Sequence, residues 1–239
     1  AGRAGLDRRE AARALLWLPA VGALLGAVAA GVLLAVQAVA DGAAGRLLAA
    51  VLAIGTVAAL TGALHLDGLA DTADGLGSRR PAPQALEIMR RSDIGPIGVV
   101  TLVFAIAVQV VALATLPAGG YGAVALVLAA VAGRVAVVLS AGVRGARSDG
   151  FGALVAGSVR RPAQYGWVAG LLALTAAPAA LGQPVVAARL FAASALALAA
   201  GWLLCRHLAR RLGGMTGDGY GAVAETTATV VLLVLALTA

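Results

Sequence analysis

The chain has 239 residues, 61% of them hydrophobic and only 12% charged, with a mean hydropathy of +0.96, a balance that excludes an ordinary soluble domain. Its net charge of +7 comes from arginine alone, and these arginines form no stripe interleaved with aromatics, which excludes a nucleic-acid surface. A single cysteine, Cys205, excludes an internal disulfide and argues against a thiolate metal site.

In chain order, uncharged apolar runs long enough to cross a bilayer recur. We expect an all-α, polytopic membrane bundle of about seven spans forming a single membrane domain over 1–239. The spans fall near 15–40, 47–64, 97–116, 121–143, 165–181, 187–204 and 222–239. The first run is too long for a signal peptide. Arg3, Arg8, Arg9 and Arg13 precede it. After the second span comes a long connection, 65–96, opening with His65-Leu-Asp67-Gly68-Leu-Ala-Asp71-Thr-Ala-Asp74-Gly75. Asp67, Asp71 and Asp74 stand at i, i+4 and i+7, so on a helix their carboxylates share one face. Like charges so placed repel, and a divalent cation with hard oxygen ligands is one reason to gather them. A solvated helix start, with acids near the positive end of the helix dipole, is the plainer alternative. His65 would lie about 160° round such a helix from the acids, so it suits an acid–base or supporting role better than a shared metal. A second short helix should begin at Pro83 and run to Arg91, with Glu87 and Arg91 spaced as an i, i+4 pair. Arg90 and Arg91 read equally as anchors at a membrane edge or as guanidinium forks for a diphosphate.

The fourth span carries Arg134 in its middle, which should face the bundle and meet Asp218, Glu225 or a bound anion. The connection 144–164 follows, with Arg144 and Arg147 one turn apart, placed to converge on a phosphate or to anchor the membrane edge. The last connection, 205–221, is glycine-dense around Asp218, and Glu225 would lie about two turns inside the final span, a depth at which a carboxylate reads as functional. His65 and His207 have no spacing that supports a zinc site. Fifteen of the eighteen arginines fall before the first span or in the connections 65–96, 144–164 and 205–221. The positive-inside rule therefore makes the N-terminus and those three connections cytoplasmic.

The segment His65–Gly77, the segment Glu87-Ile-Met-Arg90-Arg91-Ser92-Asp93-Ile-Gly95-Pro-Ile-Gly98 and the segment Gly213-Gly214-Met-Thr216-Gly217-Asp218-Gly-Tyr-Gly221-Ala-Val-Ala-Glu225 resemble the signatures of the cobalamin synthase family, the membrane-bound adenosylcobinamide-GDP ribazoletransferases. The resemblance implies a Mg²⁺-dependent transferase of vitamin B12 biosynthesis in the bacterial cytoplasmic (inner) membrane, multi-pass, with its active face cytoplasmic. It would assemble the nucleotide loop by transferring the cobinamide phosphate moiety of adenosylcobinamide-GDP to α-ribazole or its 5′-phosphate, releasing GMP. On that resemblance Asp67, Asp71, Asp74 and Asp218 would hold metal, Arg90, Arg91, Arg134, Arg144 and Arg147 would contact substrate, and His65 or Glu225 would be the base. Here Arg90–Arg91 stands where a single arginine followed by a small or acidic residue is expected, which leaves open the arginine that carries the role. A homo-oligomer stays open, and the bilayer and the two substrates are the implied partners. Three other readings fit the sequence less well. A CDP-alcohol phosphotransferase would need Asp-Gly-x-x-Ala-Arg and a later aspartate pair, both missing after Asp67. An intramembrane prenyltransferase would need an aromatic-lined tunnel, whereas aromatics make up 4% of the chain. A small transporter would place charges near the midplane, whereas ten of the eleven acids lie in connections or at span ends.

Overall fold

A computed structural model describes residues 7–117 and 120–239, and every described element is helical. The helices are α1 (Arg8–Gln37), α2 (Gly42–Leu60), α3 (Leu64–Gly77), α4 (Ala82–Ile88), α5 (Pro96–Thr115), α6 (Tyr121–Ser140), α7 (Gly150–Val155), α8 (Arg161–Ala176), α9 (Pro184–Leu212) and α10 (Gly217–Thr238), with a 3₁₀ turn at Ala177–Leu181 after α8. Six of them, α1, α2, α5, α6, α9 and α10, are long and apolar enough to cross a membrane. Outward-facing Trp17, Leu24, Phe104 and Leu203 are exposed, as lipid-facing side chains are.

The seventh span, expected at 165–181, falls on α8, whose 16 residues are fewer than those of the six helices long and apolar enough to cross. Both ends of the path are fixed by contacts. Gln164, in the first turn of α8, packs on Gly142 at the end of α6. At the other end Leu174, Thr175 and Pro178 share a recess with Leu190 near the start of α9. Together α8 and the 3₁₀ turn span about 34 Å, against a hydrocarbon thickness of about 30 Å.

Helix α6 is the axis of the bundle, and most of its residues are buried. Gly22 and Gly26 of α1, one turn apart, lie against it: a Cβ on Gly22 would stand 2.7 Å from the Ala130 carbonyl oxygen, and one on Gly26 2.8 Å from the Val127 Cα. Gly133 of α6 meets α10 in the same way, 2.8 Å from the Ala224 carbonyl oxygen. Apolar burial gives membrane helices little drive to associate, so small residues that let backbones touch do this work.

The connection 65–96 forms the two short helices expected of it, with Pro83 in the first turn of α4. Gly62 and Ala63 both adopt left-handed backbone (φ +58° and +57°), which ends α2 and redirects the chain into α3. Asp7 begins α1 with a capping box: its Oδ1 accepts from the Glu10 amide at 2.7 Å, and Glu10 accepts from the Asp7 amide at 3.0 Å.

The connection 205–221 differs from expectation. Helix α9 continues to Leu212 and α10 begins at Gly217, leaving only 213–216 as linker. Arg206, Arg210 and Arg211 therefore ride on a helix that outruns its apolar section. The linker is tied to the segment after α6, where the Met215 amide donates to the Arg144 carbonyl at 2.8 Å and the Ala146 amide to the Met215 carbonyl at 2.9 Å. The arginine-rich ends of α6 and α9 are thus joined at one end of the bundle.

Candidate functional site

Helix α3 lies along the start of α10, antiparallel to it. A Cβ on Gly68 would stand 2.7 Å from the Asp218 carbonyl oxygen, and one on Gly221 3.1 Å from the His65 Cα. Two glycines thus bring Asp218, some 150 residues away in sequence, beside Asp67 and Asp71. The charges of Asp67, Asp218 and Asp74 all act on Asp71. Burial first, and then those neighbours, push its carboxyl up to about 6. Arg147 opposes this negative charge, acting on both Asp71 and Asp218.

Four acids around one ion, as expected for Asp67, Asp71, Asp74 and Asp218, are not what the structure forms. Among the described residues no three acid, histidine or cysteine side chains converge on a single metal position. Asp74 in particular is turned away. Its Oδ2 accepts from the Gly95 amide at 2.7 Å and its Oδ1 from the Gly98 amide at 2.8 Å. It caps the N-terminus of α5, whose first amides have no partner within the helix. Asp67, Asp71 and Asp218 remain as an all-oxygen set. Mg²⁺ is commonly held by one or two carboxylates and completes its shell with water and substrate phosphate, so these oxygens fit it without three of them meeting at one position.

The arginines separate by position. Arg147 donates to the Leu86 carbonyl at 2.5 Å and so joins its segment to α4 beside the acids. Arg90 places one nitrogen 3.0 Å from both carboxylate oxygens of Asp149. Arg144 donates to the Gly213 carbonyl at 2.7 Å, closing the end of α9. Arg91 is exposed, and the expected ion pair between Glu87 and Arg91 is not among those formed by the described residues. Arg134 is not at the aspartate face. It is 3% exposed inside the bundle, where it lines a small cavity of about 30 Å³ with Gln109 and Glu225. It thereby faces one of the acids expected for it, Glu225.

Glu225 is 9% exposed and accepts from the Gln109 amide at 3.0 Å; Gln109 also donates to the Thr229 hydroxyl at 2.9 Å. The His65 Nδ1 lies 4.0 Å from the other Glu225 oxygen, with the imidazole one-fifth exposed. Helix α3 lies outside the long apolar helices, and there burial, followed by the charge of Arg134, pushes the His65 imidazole down to about 4. It is therefore neutral at pH 7, and a weaker proton acceptor than a free imidazole. Gln109 escaped the sequence reading, although it is the one amide side chain in the apolar run 97–116 and that alone distinguishes it.

A polytopic bundle with carboxylates from two remote segments, set beside an arginine at one membrane edge, defines the class: an integral-membrane enzyme handling a phosphorylated substrate. Residues 3–236 match the family model described as cobalamin-5-phosphate synthase. The chain belongs to this family. It is 42% identical to an adenosylcobinamide-GDP ribazoletransferase of Frankia casuarinae over 97% of this chain and 87% of that protein. Proteins of the same description from Citrobacter koseri and Shigella flexneri are 40% and 36% identical, each over 97% of this chain and 90% of their own length. No solved structure matches the chain.

Proposed function

We propose that this enzyme transfers the cobinamide phosphate moiety of adenosylcobinamide-GDP to α-ribazole, or to α-ribazole 5′-phosphate, with release of GMP. The observation that carries the reading is the contact of Gly68 with Asp218, which gathers Asp67, Asp71 and Asp218 beside Arg147. In the reaction the oxygen of a free ribose hydroxyl of the ribazole bonds to the phosphorus bearing cobinamide, the bond from that phosphorus to the GMP oxygen breaks, and GMP departs with the electron pair. Phosphoryl transfer needs mainly position and charge neutralisation, and an arginine facing a carboxylate-held cation supplies both. Asp67, Asp71 and Asp218 would hold Mg²⁺, which when bound neutralises diphosphate charge. Arg147, which acts on Asp71 and Asp218, meets the phosphates. His65 takes the proton of the attacking hydroxyl. Glu225 is buried, with one oxygen accepting from Gln109 and the other 4.0 Å from the His65 Nδ1, so it supports His65.

The arginine distribution supports placing this end of the bundle in the cytoplasm, with the N-terminus on the same side and the chain in a bacterial cytoplasmic membrane. The test is direct. Purified protein in lipid nanodiscs is given adenosylcobinamide-GDP, α-ribazole and Mg²⁺, and GMP is measured. GMP and a complete corrinoid are expected in equal amounts, with none from Asp71→Asn or after chelation by EDTA. Undiminished turnover in Asp71→Asn would rule out the site.

A further inference from the structure

A second recess shares Arg147 with the acidic site. It measures about 440 Å³, in the range of small-ligand pockets, and lies between α4 and the segment 146–149. Arg147 is the shared wall: it lines this recess and also acts on Asp71 and Asp218. Of the other recesses described, the internal one beside Arg134 holds only about 30 Å³, and the remaining three are lined chiefly by apolar side chains of the long helices. Among these recesses it is the polar one beside Arg147, where a nucleoside attached to a phosphate would enter.

The lining of that space is selective. Pro83 and Leu86 offer apolar surface for the face of a base. Glu87 presents a carboxylate with no ion pair among the described residues, although arginines surround it. Arg90 is oriented by Asp149, with both oxygens 3.0 Å from a single nitrogen, so its other N–H groups stay free. A carboxylate accepts from adjacent N–H donors, and a guanidinium donates to paired acceptors. Guanine carries both patterns, N1–H and N2–H₂ on one edge and O6 with N7 on another. Adenine would turn its N1 lone pair toward the carboxylate and offer an N–H where the arginine needs an acceptor.

We propose that this recess is the guanosine subsite of the enzyme, with Glu87 accepting from guanine N1–H and N2–H and Arg90 donating to O6 and N7. The inference rests on the transferase reading above, since it places the leaving nucleotide of that reaction.

The experiment measures binding of free GDP, IDP and ADP, each with Mg²⁺, to the full chain in nanodiscs, so it requires no turnover. Wild-type protein should bind GDP at least about 10-fold more tightly than ADP, because a site built to hydrogen-bond one base leaves its polar groups unpaired with the other. IDP keeps N1–H and lacks the exocyclic amine, so it should fall between them. Glu87→Gln and Glu87→Ala should each bring GDP and ADP to within about 2-fold of one another, by weakening GDP and relieving the repulsion of adenine N1, since the phosphate contact that remains does not sense the base. Glu87 is exposed on α4, so neither variant should lower the unfolding midpoint. Equal affinity of the wild type for GDP and ADP, or full discrimination retained by both variants, would overturn the proposal. Absence of GMP release from adenosylcobinamide-GDP, with discrimination intact, would instead overturn the reaction assigned above and leave the base subsite standing.

Discussion

Replacing Gly68 with alanine places a methyl carbon 2.7 Å from the Asp218 carbonyl oxygen and 2.9 Å from the Asp218 Cα. Both neighbours are backbone, so no rotamer change relieves the overlap. Ordinary contact begins near 3.4 Å, and α3 must retreat from α10 by about 0.7 Å to restore it. Overpacking of this kind costs about 1–3 kcal/mol, and the better helix propensity of alanine offsets up to about 1 kcal/mol, so the variant should fold. The retreat moves Asp67 and Asp71 away from Asp218. Displacement on the scale of 1 Å at a reacting centre can lower a rate about 100-fold, so kcat for GMP release at saturating Mg²⁺ should fall about 10- to 100-fold. Gly221→Ala is a graded companion: its added carbon meets the His65 Cα and carbonyl oxygen at 3.1 Å, so a smaller loss is expected. Gly55→Ala on α2 is the control, because nothing stands within 4 Å of the added carbon. The reasoning fails if Gly68→Ala turns over like wild type, or if Gly55→Ala loses as much as Gly68→Ala does.

Asp71, raised to about 6, takes up a proton in the range where, as proposed, it would bind a cation. Lowering the pH from 7 to 5 should therefore raise the Mg²⁺ concentration for half-maximal rate, by up to about 10-fold per unit below 6, and a flat dependence would argue against Asp71 as ligand. Asp74→Ala removes the acceptor for the Gly95 and Gly98 amides, and should lower stability by about 1–3 kcal/mol in detergent unfolding while the Mg²⁺ activation constant stays at its wild-type value. A Mg²⁺ constant that rises with stability unchanged would return Asp74 to the ligand set. Gln109→Leu strips Glu225 of its amide donor and should cost about 1–3 kcal/mol of stability. A midpoint unchanged from wild type would show that Glu225 finds another partner.

Punctuation by proline and glycine made the two short helices after span two readable in advance, and the period of Asp67, Asp71 and Asp74 made their helical face readable. The destination of Asp74 was not. Its partners, the Gly95 and Gly98 amides, lie 21 and 24 residues onward, and no local pattern encodes a cap supplied from that distance. Arg206, Arg210 and Arg211 misled for a different reason: arginines mark where an apolar span ends, but not where its helix ends, and α9 runs on to Leu212. The facing of Arg134 and Glu225 was foreseen as one of three options because each was a charge in an apolar run. Gln109, neutral and equally buried, raised no such signal, yet it holds Glu225 in place.

The depth of the site follows from the same contacts that hold the bundle together. Helix α10 carries Asp218 in its first turn and Glu225 two turns in, so its axial position sets both at once. That position is set where Gly133 of α6 packs on the Ala224 backbone, so closely that an added Cβ would stand 2.8 Å from the Ala224 carbonyl oxygen, one residue from Glu225. Helix α6 is in turn gripped by Gly22 and Gly26 of α1. Gly68 and Gly221 then lay α3 on α10 at the arginine-rich end. Each contact joins backbone to backbone, which leaves no side chain to adjust and fixes helix offsets more tightly than interlocking leucines would. A chain that is 61% hydrophobic and 12% charged can thus hold three carboxylates and an arginine in register. Its few polar groups need not find one another, because glycine contacts between the helices that bear them have already fixed where they stand.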